Sequence, residues 1–360
     1  MNPNPASAQL PFSRLFPAIL LLWSAAIFPL AAQARPQTDA SSFYNQGLQQ
    51  FNAGAYVDAI ESFKRALQLR SVYPEAAYSI GACYYRLQRY SEAVDFYREA
   101  TRQRPDYRDA YIYLGNALDS AGRFDEAMTA YGQAARLDLG NAQVHCEMGV
   151  ALRNHGSYVD AVEQYRQCLR LKPDYTKANL GLGFSLHKLG RDDEAVAAYL
   201  EAARQAPGDS ETRRYLGDTY NSMKKREEAM TAYKQALELD PKNENAHLGL
   251  GNVYYNTDRF AEAAAEYREA VRLRPDWAVA QLYLGDAYFH LDSLEMAAAS
   301  YQEAVRLRPD YADAHFGLGK ALAKKGDRAG ALKEYETLKT LQPDLGAKLL
   351  AVINPQSASK

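Results

Sequence analysis

Cysteine, tryptophan and net charge are all scarce in this chain. Three cysteines in 360 residues cannot staple a disulfide scaffold. A formal charge of −2 gives no basic footprint, which argues against nucleic acid as a partner. No phosphate-cradling glycine loop, no H-E-x-x-H and no C-x-x-C occurs. The six histidines are scattered. His145 and His155 stand ten residues apart, about 15 Å on one helix, too far to share a metal. They read as surface or packing residues. The sequence therefore predicts no metal, no cofactor and no enzyme.

Acidic residues are missing from the first 34 positions, where the only base is Arg14. An apolar run over residues 15–32 follows, broken by Pro17 and Pro29, and Ala32-Gln33-Ala34 supplies a small-x-small cleavage pattern. This predicts a cleaved export signal, 1–34, and a periplasmic or secreted protein with no membrane insertion after cleavage. The alternative is an uncleaved membrane anchor, for which 18 residues is the lower limit. No cysteine lies near residue 34 to carry lipid, and no arginine pair marks a twin-arginine route.

What is abundant is tyrosine, with 27 copies, and it is periodic. Glycines stand at 47, 81, 115, 149, 183, 217, 251, 285 and 319, always 34 residues apart. Alanines from Ala59 to Ala331 keep the same step, as do Phe63 and then Tyr97, Tyr131, Tyr165, Tyr199, Tyr233, Tyr267, Tyr301 and Tyr335. Numbering each unit 1 to 34 puts glycine at 8, alanine at 20 and the aromatic at 24. Positions 4, 7, 8 and 11 share one side of a helix, and positions 20, 24 and 27 share one side of a second. Glycine at 15 in five units marks the turn between them, and proline at 32 in seven ends the unit. Each unit is a helix–turn–helix hairpin that must stack on its neighbours to bury its apolar face. On packing, the small residues predict glycine 8 facing alanine 20 across the hairpin, with the aromatic filling the space beside them.

The L-G…Y, A…Y…A, P pattern at this period resembles the tetratricopeptide repeat family. The match covers 40–345 as nine units: 40–73, 74–107, 108–141, 142–175, 176–209, 210–243, 244–277, 278–311 and 312–345. The resemblance implies an all-α, right-handed superhelical solenoid, with 346–360 as a capping helix and tail. The family's tryptophan at position 4 is absent, replaced among others by His145, His247 and His315. Leu338 at position 27 of the last unit could meet the closing helix. Leader and repeats leave no space for a catalytic domain.

Cys146 and Cys168 occupy positions 5 and 27 of one unit, level with each other across the hairpin. Position 5, however, is expected to point along the inner surface, which argues against a bond. Cys83 has no partner in reach.

Positions 2, 5, 6, 9, 12 and 13 are not called on for packing by this pattern. In similar proteins they line a concave groove that holds a peptide or helix. Candidate binding residues here are Tyr113, Asn116, Arg214, Tyr215, Asp218, Asn252, Tyr255, Asn256, Tyr283, Asp286 and Phe289. An asparagine amide both donates and accepts, so it can pair with a peptide backbone without reading sequence. Tyrosine adds contact area at low entropy cost. The lysine–asparagine set with which some subtypes clamp a C-terminal carboxylate is absent: Arg214 and Asp218 are followed by Gly249, Val279 and Tyr283. The resemblance implies a non-enzymatic scaffold with a protein or peptide partner, by family analogy within a large cell-envelope complex. The alternative is a substrate-presenting or regulatory subunit of a separate enzyme, such as a glycosyltransferase or a polysaccharide-export complex.

Overall fold

The computed structural model describes residues 39–354; the expected leader lies outside the described residues, as do 35–38 and 355–360. The described chain contains helices and no strand. In order they are α1 (Ala40–Asn52), α2 (Tyr56–Leu69), α3 (Pro74–Arg86), α4 (Tyr90–Gln103), α5 (Arg108–Ser120), α6 (Phe124–Leu137), α7 (Ala142–Asn154), α8 (Tyr158–Leu171), α9 (Thr176–Lys188), α10 (Asp192–Gln205), α11 (Ser210–Ser222), α12 (Arg226–Leu239), α13 (Glu244–Tyr255), α14 (Phe260–Leu273), α15 (Ala278–His290), α16 (Leu294–Leu307), α17 (Ala312–Lys325), α18 (Arg328–Leu341) and α19 (Pro343–Ile353). Helices α1 to α18 pair as successive hairpins, each stacked on the next, and α19 packs on α17 and α18. No helix among the described residues is long and apolar enough to cross a membrane.

Every turn uses one left-handed residue at position 15. Five are glycines, with φ from 72° to 88°, and the others are Gln88, Lys224, Asp258 and Asp292 at 57–59°. Glycine takes this conformation without the penalty of a Cβ, which is about 1–2 kcal/mol for other residues.

Hairpins are joined in two ways. At five junctions a cation at position 31 lies over an aromatic ring at position 34: Arg70 on Tyr73, Arg104 on Tyr107, Lys172 on Tyr175, Arg274 on Trp277 and Arg308 on Tyr311. At the other three the ring is replaced by Asn141, Asp209 or Asn243, and the cation is lost as well. Asn141 and Asn243 instead cap α7 and α13 by accepting from the Val144 and Ala246 N–H groups. The helices flanking these three junctions touch less than those at the aromatic ones, least of all α6 and α7.

The nearest neighbour of each ladder glycine from Gly47 to Gly285 is the aromatic ring at position 24. A Cβ on Gly47, Gly115 or Gly149 would lie 2.5–2.8 Å from the ring at position 24. The missing side chain is the seat of the aromatic. Seven of those tyrosines, Tyr97 to Tyr301, are at most 1% exposed. The ladder ends at α18, where Tyr335 is half-buried and Leu349 of the capping helix takes the seat beside Gly319. Leu338, Leu349 and Ile353 close this end as one apolar cluster.

The disulfide expectation is corrected. Cys146 and Cys168 are bonded, with Cα atoms 5.3 Å apart. Position 5 turns inward rather than along the surface: Ile112, Cys146 and Leu282 there are 0–6% exposed. Cys83 is free and buried.

The histidines at position 4 hold the two helices of a hairpin together. The Nδ1 atoms of His145, His247 and His315 meet Gln164, Glu266 and Glu334 at 2.6–2.8 Å. His247 and His315 also reach the Pro241 and Pro309 carbonyls through Nε2. With acceptors at both nitrogens, the charged ring is the form that satisfies both. For His315 the Glu334 bond raises the pKa against the opposing effect of burial. For His247 burial pulls downward, but Glu266 and Pro241 outweigh it and the pKa is raised. This contribution, about 2 kcal/mol for a charge-assisted pair, is complete below the unfolded pKa near 6.5 and is lost as pH rises through the higher folded value. The Tm gap between wild type and His315→Gln should therefore be widest near pH 5.5 and shrink toward pH 9. A gap independent of pH would reject the charged pair.

Candidate functional site

The first helices of successive hairpins touch one another, as α5 does α7 and α9 does α11, whereas the second helices do not approach in this way. Crowding on one side and spreading on the other makes the first-helix side concave. The candidate residues lie on these first helices, or at their ends, and the structure shows what each is already doing.

Position 9 is not free. The Tyr131, Tyr233, Tyr267 and Tyr301 hydroxyls donate to Asn116, Asp218, Asn252 and Asp286 at 2.6–2.8 Å. The four polar side chains chosen for a peptide backbone satisfy buried phenols within their own hairpins. This corrects the expectation that the stripe takes no part in packing: a tyrosine at 24 brings a hydroxyl that burial obliges something to accept. Leu48 stands at position 9 opposite Phe63, which has no hydroxyl, but Ala82, Val150 and Phe184 stand there opposite Tyr97, Tyr165 and Tyr199, so the residue at position 9 does not by itself announce this role. Asn252→Ala should therefore cost about 1–3 kcal/mol by orphaning the Tyr267 hydroxyl. Urea unfolding of Asn252→Ala beside the double variant with Tyr267→Phe tests it, the second change being expected to restore part of the loss.

Burial pushes the carboxyl pKa of Asp218 upward, with Arg214 and Tyr233 opposing. It does the same at Asp286, against the Tyr301 bond and Lys320. Arg214 is itself engaged, paired with Glu211 and Asp218 and stacked 4.0 Å over the Tyr215 ring.

The aromatic candidates form the accessible relief of the concave face. Tyr113, Tyr215 and Tyr283, at position 6, are half-buried and lean on the ladder tyrosine of the preceding hairpin. Tyr113 lies 6.2 Å from Tyr97, Tyr215 stacks 5.6 Å from Tyr199, and Tyr283 is 5.8 Å from Tyr267. Tyr255 packs on Phe260 and His290. Phe289 sits under Lys320 and Lys324, 4.9 and 5.2 Å from its centroid. Asn256 is exposed at the C-cap of α13, where its backbone N–H closes the helix. Phe184, between Arg153 and Lys188, belongs to the same relief and was missed because position 9 is otherwise usually small or polar.

The structure therefore brings Tyr113, Tyr215, Tyr255, Tyr283 and Phe289 to a shared face as rigid ridges. It assigns Asn116, Arg214, Asp218, Asn252 and Asp286 to their support. Among the described residues no three histidine, cysteine or acidic side chains are grouped to hold a metal.

Models of the tetratricopeptide repeat match residues 44–108 and 146–210, 88–146, and 244–277, and a further TPR repeat model matches 217–258 and 285–326. No curated protein matches the sequence. Among solved structures, the Cut9–Hcn1 hetero-tetramer of APC/C is 16% identical over 90% of this chain and 79% of that one, with a TM-score of 0.53. The structure of Pseudomonas aeruginosa pilF is 23% identical over 57% of this chain and 94% of that one, with a TM-score of 0.51. At these identities the likeness is one of fold.

Proposed function

Because the chain belongs to the tetratricopeptide repeat family, we propose that it is a non-enzymatic scaffold holding a polypeptide segment along its concave face. The observation that carries this reading is the row of half-buried aromatic ridges at Tyr215, Tyr255, Tyr283 and Phe289, each braced by neighbouring rings or cations. A braced aromatic gives contact area without a large loss of freedom on binding. The supporting amides and carboxylates hold this surface in shape rather than read the partner. We place the protein in the cell envelope, as part of a larger assembly. The leader pattern supports this, as does the Cys146–Cys168 bond, since disulfides persist in oxidising compartments.

The test is affinity capture from envelope extract with residues 35–360, beside Tyr215→Ala and Tyr283→Ala combined. Truncating two aromatic anchors should weaken a groove partner at least tenfold, so its proteins should disappear from the variant's capture. The same proteins retained by both forms would move binding off the concave face. If the captured partner is an enzyme whose activity depends on the scaffold, the role is that of a substrate-presenting subunit.

A further inference from the structure

Arginines that recur on the second helices and at their caps are neutralised locally. All four at position 16 have a glutamate at position 19, as in Arg89–Glu92 and Arg259–Glu262. Four more at position 29 meet a glutamate at position 26, as in Arg102–Glu99 and Arg306–Glu303. On the concave stripe, positions 6, 9, 12 and 13 carry the acids Asp119, Glu147, Asp218 and Asp286. Three of these are engaged within the fold. Asp218 and Asp286 accept from the Tyr233 and Tyr301 hydroxyls, and Asp119 meets His155. The fourth, Glu147, is half-buried, and burial raises its carboxyl pKa against the effect of Lys177.

The cations of the same stripe are matched to rings instead of acids. Arg153 and Lys188 lie over Phe184, 5.7 and 5.4 Å from its centroid. Lys320 and Lys324 lie over Phe289, and Lys320 is also 5.0 Å from the Phe316 centroid. Among the described residues no carboxylate pairs with Arg153, Lys188 or Lys320. Arg153 donates to the Asn154 amide oxygen, and no hydrogen bond or ion pair reaches the two lysines. Lys320 acts on Asp286 from a distance, but the Tyr301 hydroxyl holds that carboxylate. Lys324 pairs with Asp292, and both side chains are exposed, so the pair is weak. Phe184, Phe289, Arg153 and Lys320 are half-buried, and Lys188 is exposed. A ring face steadies a cation electrostatically and leaves its donors on the other side unsatisfied. The groove thus holds two phenylalanines, each flanked by two cations, and three of the four cations lack a counter-ion.

We propose that these two clusters, Arg153–Phe184–Lys188 and Lys320–Phe289–Lys324, receive aspartate or glutamate side chains, so that the polypeptide in the groove is acidic. The inference rests on the groove reading above and adds the charge of the partner. A carboxylate carries only acceptors, and an ammonium or guanidinium only donors, so each satisfies the other. Hydrogen bonds between two charged groups are the stronger kind. The clusters lie on α7 with α9 and on α15 with α17, on either side of the ridges at Tyr215 and Tyr255. Phe184 meets the Tyr215 ring edge-on at 6.2 Å, so the first cluster is continuous with those ridges. The second contains a ridge, Phe289, itself.

The experiment uses two pools of immobilised, terminally blocked fifteen-residue peptides, random except for four glutamates in one pool and four glutamines at the same places in the other. Wild type is expected to retain the glutamate pool about tenfold better at low salt, and the ratio should shrink as salt screens the charges. Lys188→Met with Lys320→Met should bring the ratio close to one with an unchanged Tm, because neither ammonium has a hydrogen bond or ion pair to lose. Arg102→Gln with Arg306→Gln removes the same net charge from second helices and should leave the ratio as it is. Tyr215→Ala with Tyr283→Ala should lower both pools together. Equal retention of both pools by wild type, with both lost in the tyrosine variant, would overturn the acidic partner and leave the groove reading standing. A glutamate preference that survives the double lysine variant would overturn the two clusters. An oligothymidylate of the same length retained as well as the glutamate pool would show a general polyanion surface and overturn the acidic polypeptide. If neither pool is retained, the groove reading fails, and sodium glutarate decides the clusters alone. It should shift the Cε resonances of Lys188 and Lys320 where glutaramide does not, and no difference between the two overturns the proposal.

Discussion

Tyr199→Ala should destabilise the solenoid by about 3–5 kcal/mol and split its urea unfolding into two steps. Tyr199 is 1% exposed. It fills the seat that Gly183 leaves on α9, where a Cβ would come within 2.7 Å of its ring, and it stacks at 5.6 Å on Tyr215 of the next hairpin. Removing the ring opens a cavity at both the intra-hairpin and the inter-hairpin contact. In a stacked array each hairpin is stabilised mainly by its neighbours, so a defect in the middle uncouples the two sides. The α9–α10 junction with α11 also lacks the cation–aromatic pair found at five others, Ala206 and Asp209 standing in its place. The matching change at the end of the array, Phe63→Ala, should only fray α1 and α2 and leave the main transition intact. Circular dichroism and hydrogen exchange across the urea range would show both patterns. A single transition shifted by less than about 1 kcal/mol in Tyr199→Ala would mean that the ladder aromatics do not couple the hairpins.

Reduction of the Cys146–Cys168 bond should cost about 3 kcal/mol, concentrated in the α7–α8 hairpin. The bond spans 22 residues, and closing a loop of that order removes about that much chain entropy from the unfolded state. Both cysteines sit in one hairpin, so the constraint acts on local opening more than on the whole array. It also lies at the junction where α6 and α7 touch least, so it holds together the hairpin with the weakest support on one side. Cys83 supplies an internal reporter. Burial pushes its thiol up to about 12, and it is fully buried, so it should resist alkylation until its hairpin opens. Unfolded without reductant the protein should take up one alkyl group, and with reductant three. Three labels in the unreduced, unfolded protein would show that Cys146 and Cys168 are free thiols. An unchanged exchange rate in α7 and α8 after reduction would show that the bond contributes no stability there.

The concave face demonstrates why a site is harder to read than a fold. Asn116, Asp218, Asn252 and Asp286 look like ligands for a peptide backbone because they are polar, periodic and outside the packing pattern. Placing the Tyr131, Tyr233, Tyr267 and Tyr301 hydroxyls beside them turns them into support. The aromatic members of the same stripe keep their accessible faces, because stacking occupies one side of a ring and leaves the other.

From the sequence alone came the period, the two helices of each hairpin, the turn and the closing of the array near Leu338. These follow from local rules: helical spacing of apolar residues, a glycine or its substitute at the left-handed step, and proline where a helix must stop. The acceptor role of position 9 was not readable there, since Ala82, Val150 and Phe184 stand opposite Tyr97, Tyr165 and Tyr199 just as Leu48 stands opposite Phe63. Tertiary structure decided what lies across from what. It seated the ring at 24 against glycine 8, turned position 5 inward so that Cys146 meets Cys168, and left the buried Tyr165 hydroxyl without a hydrogen-bond partner among the described residues. Each of these depends on the angle at which two helices pack, and that angle is set by side chains distant in sequence rather than by the spacing within either helix.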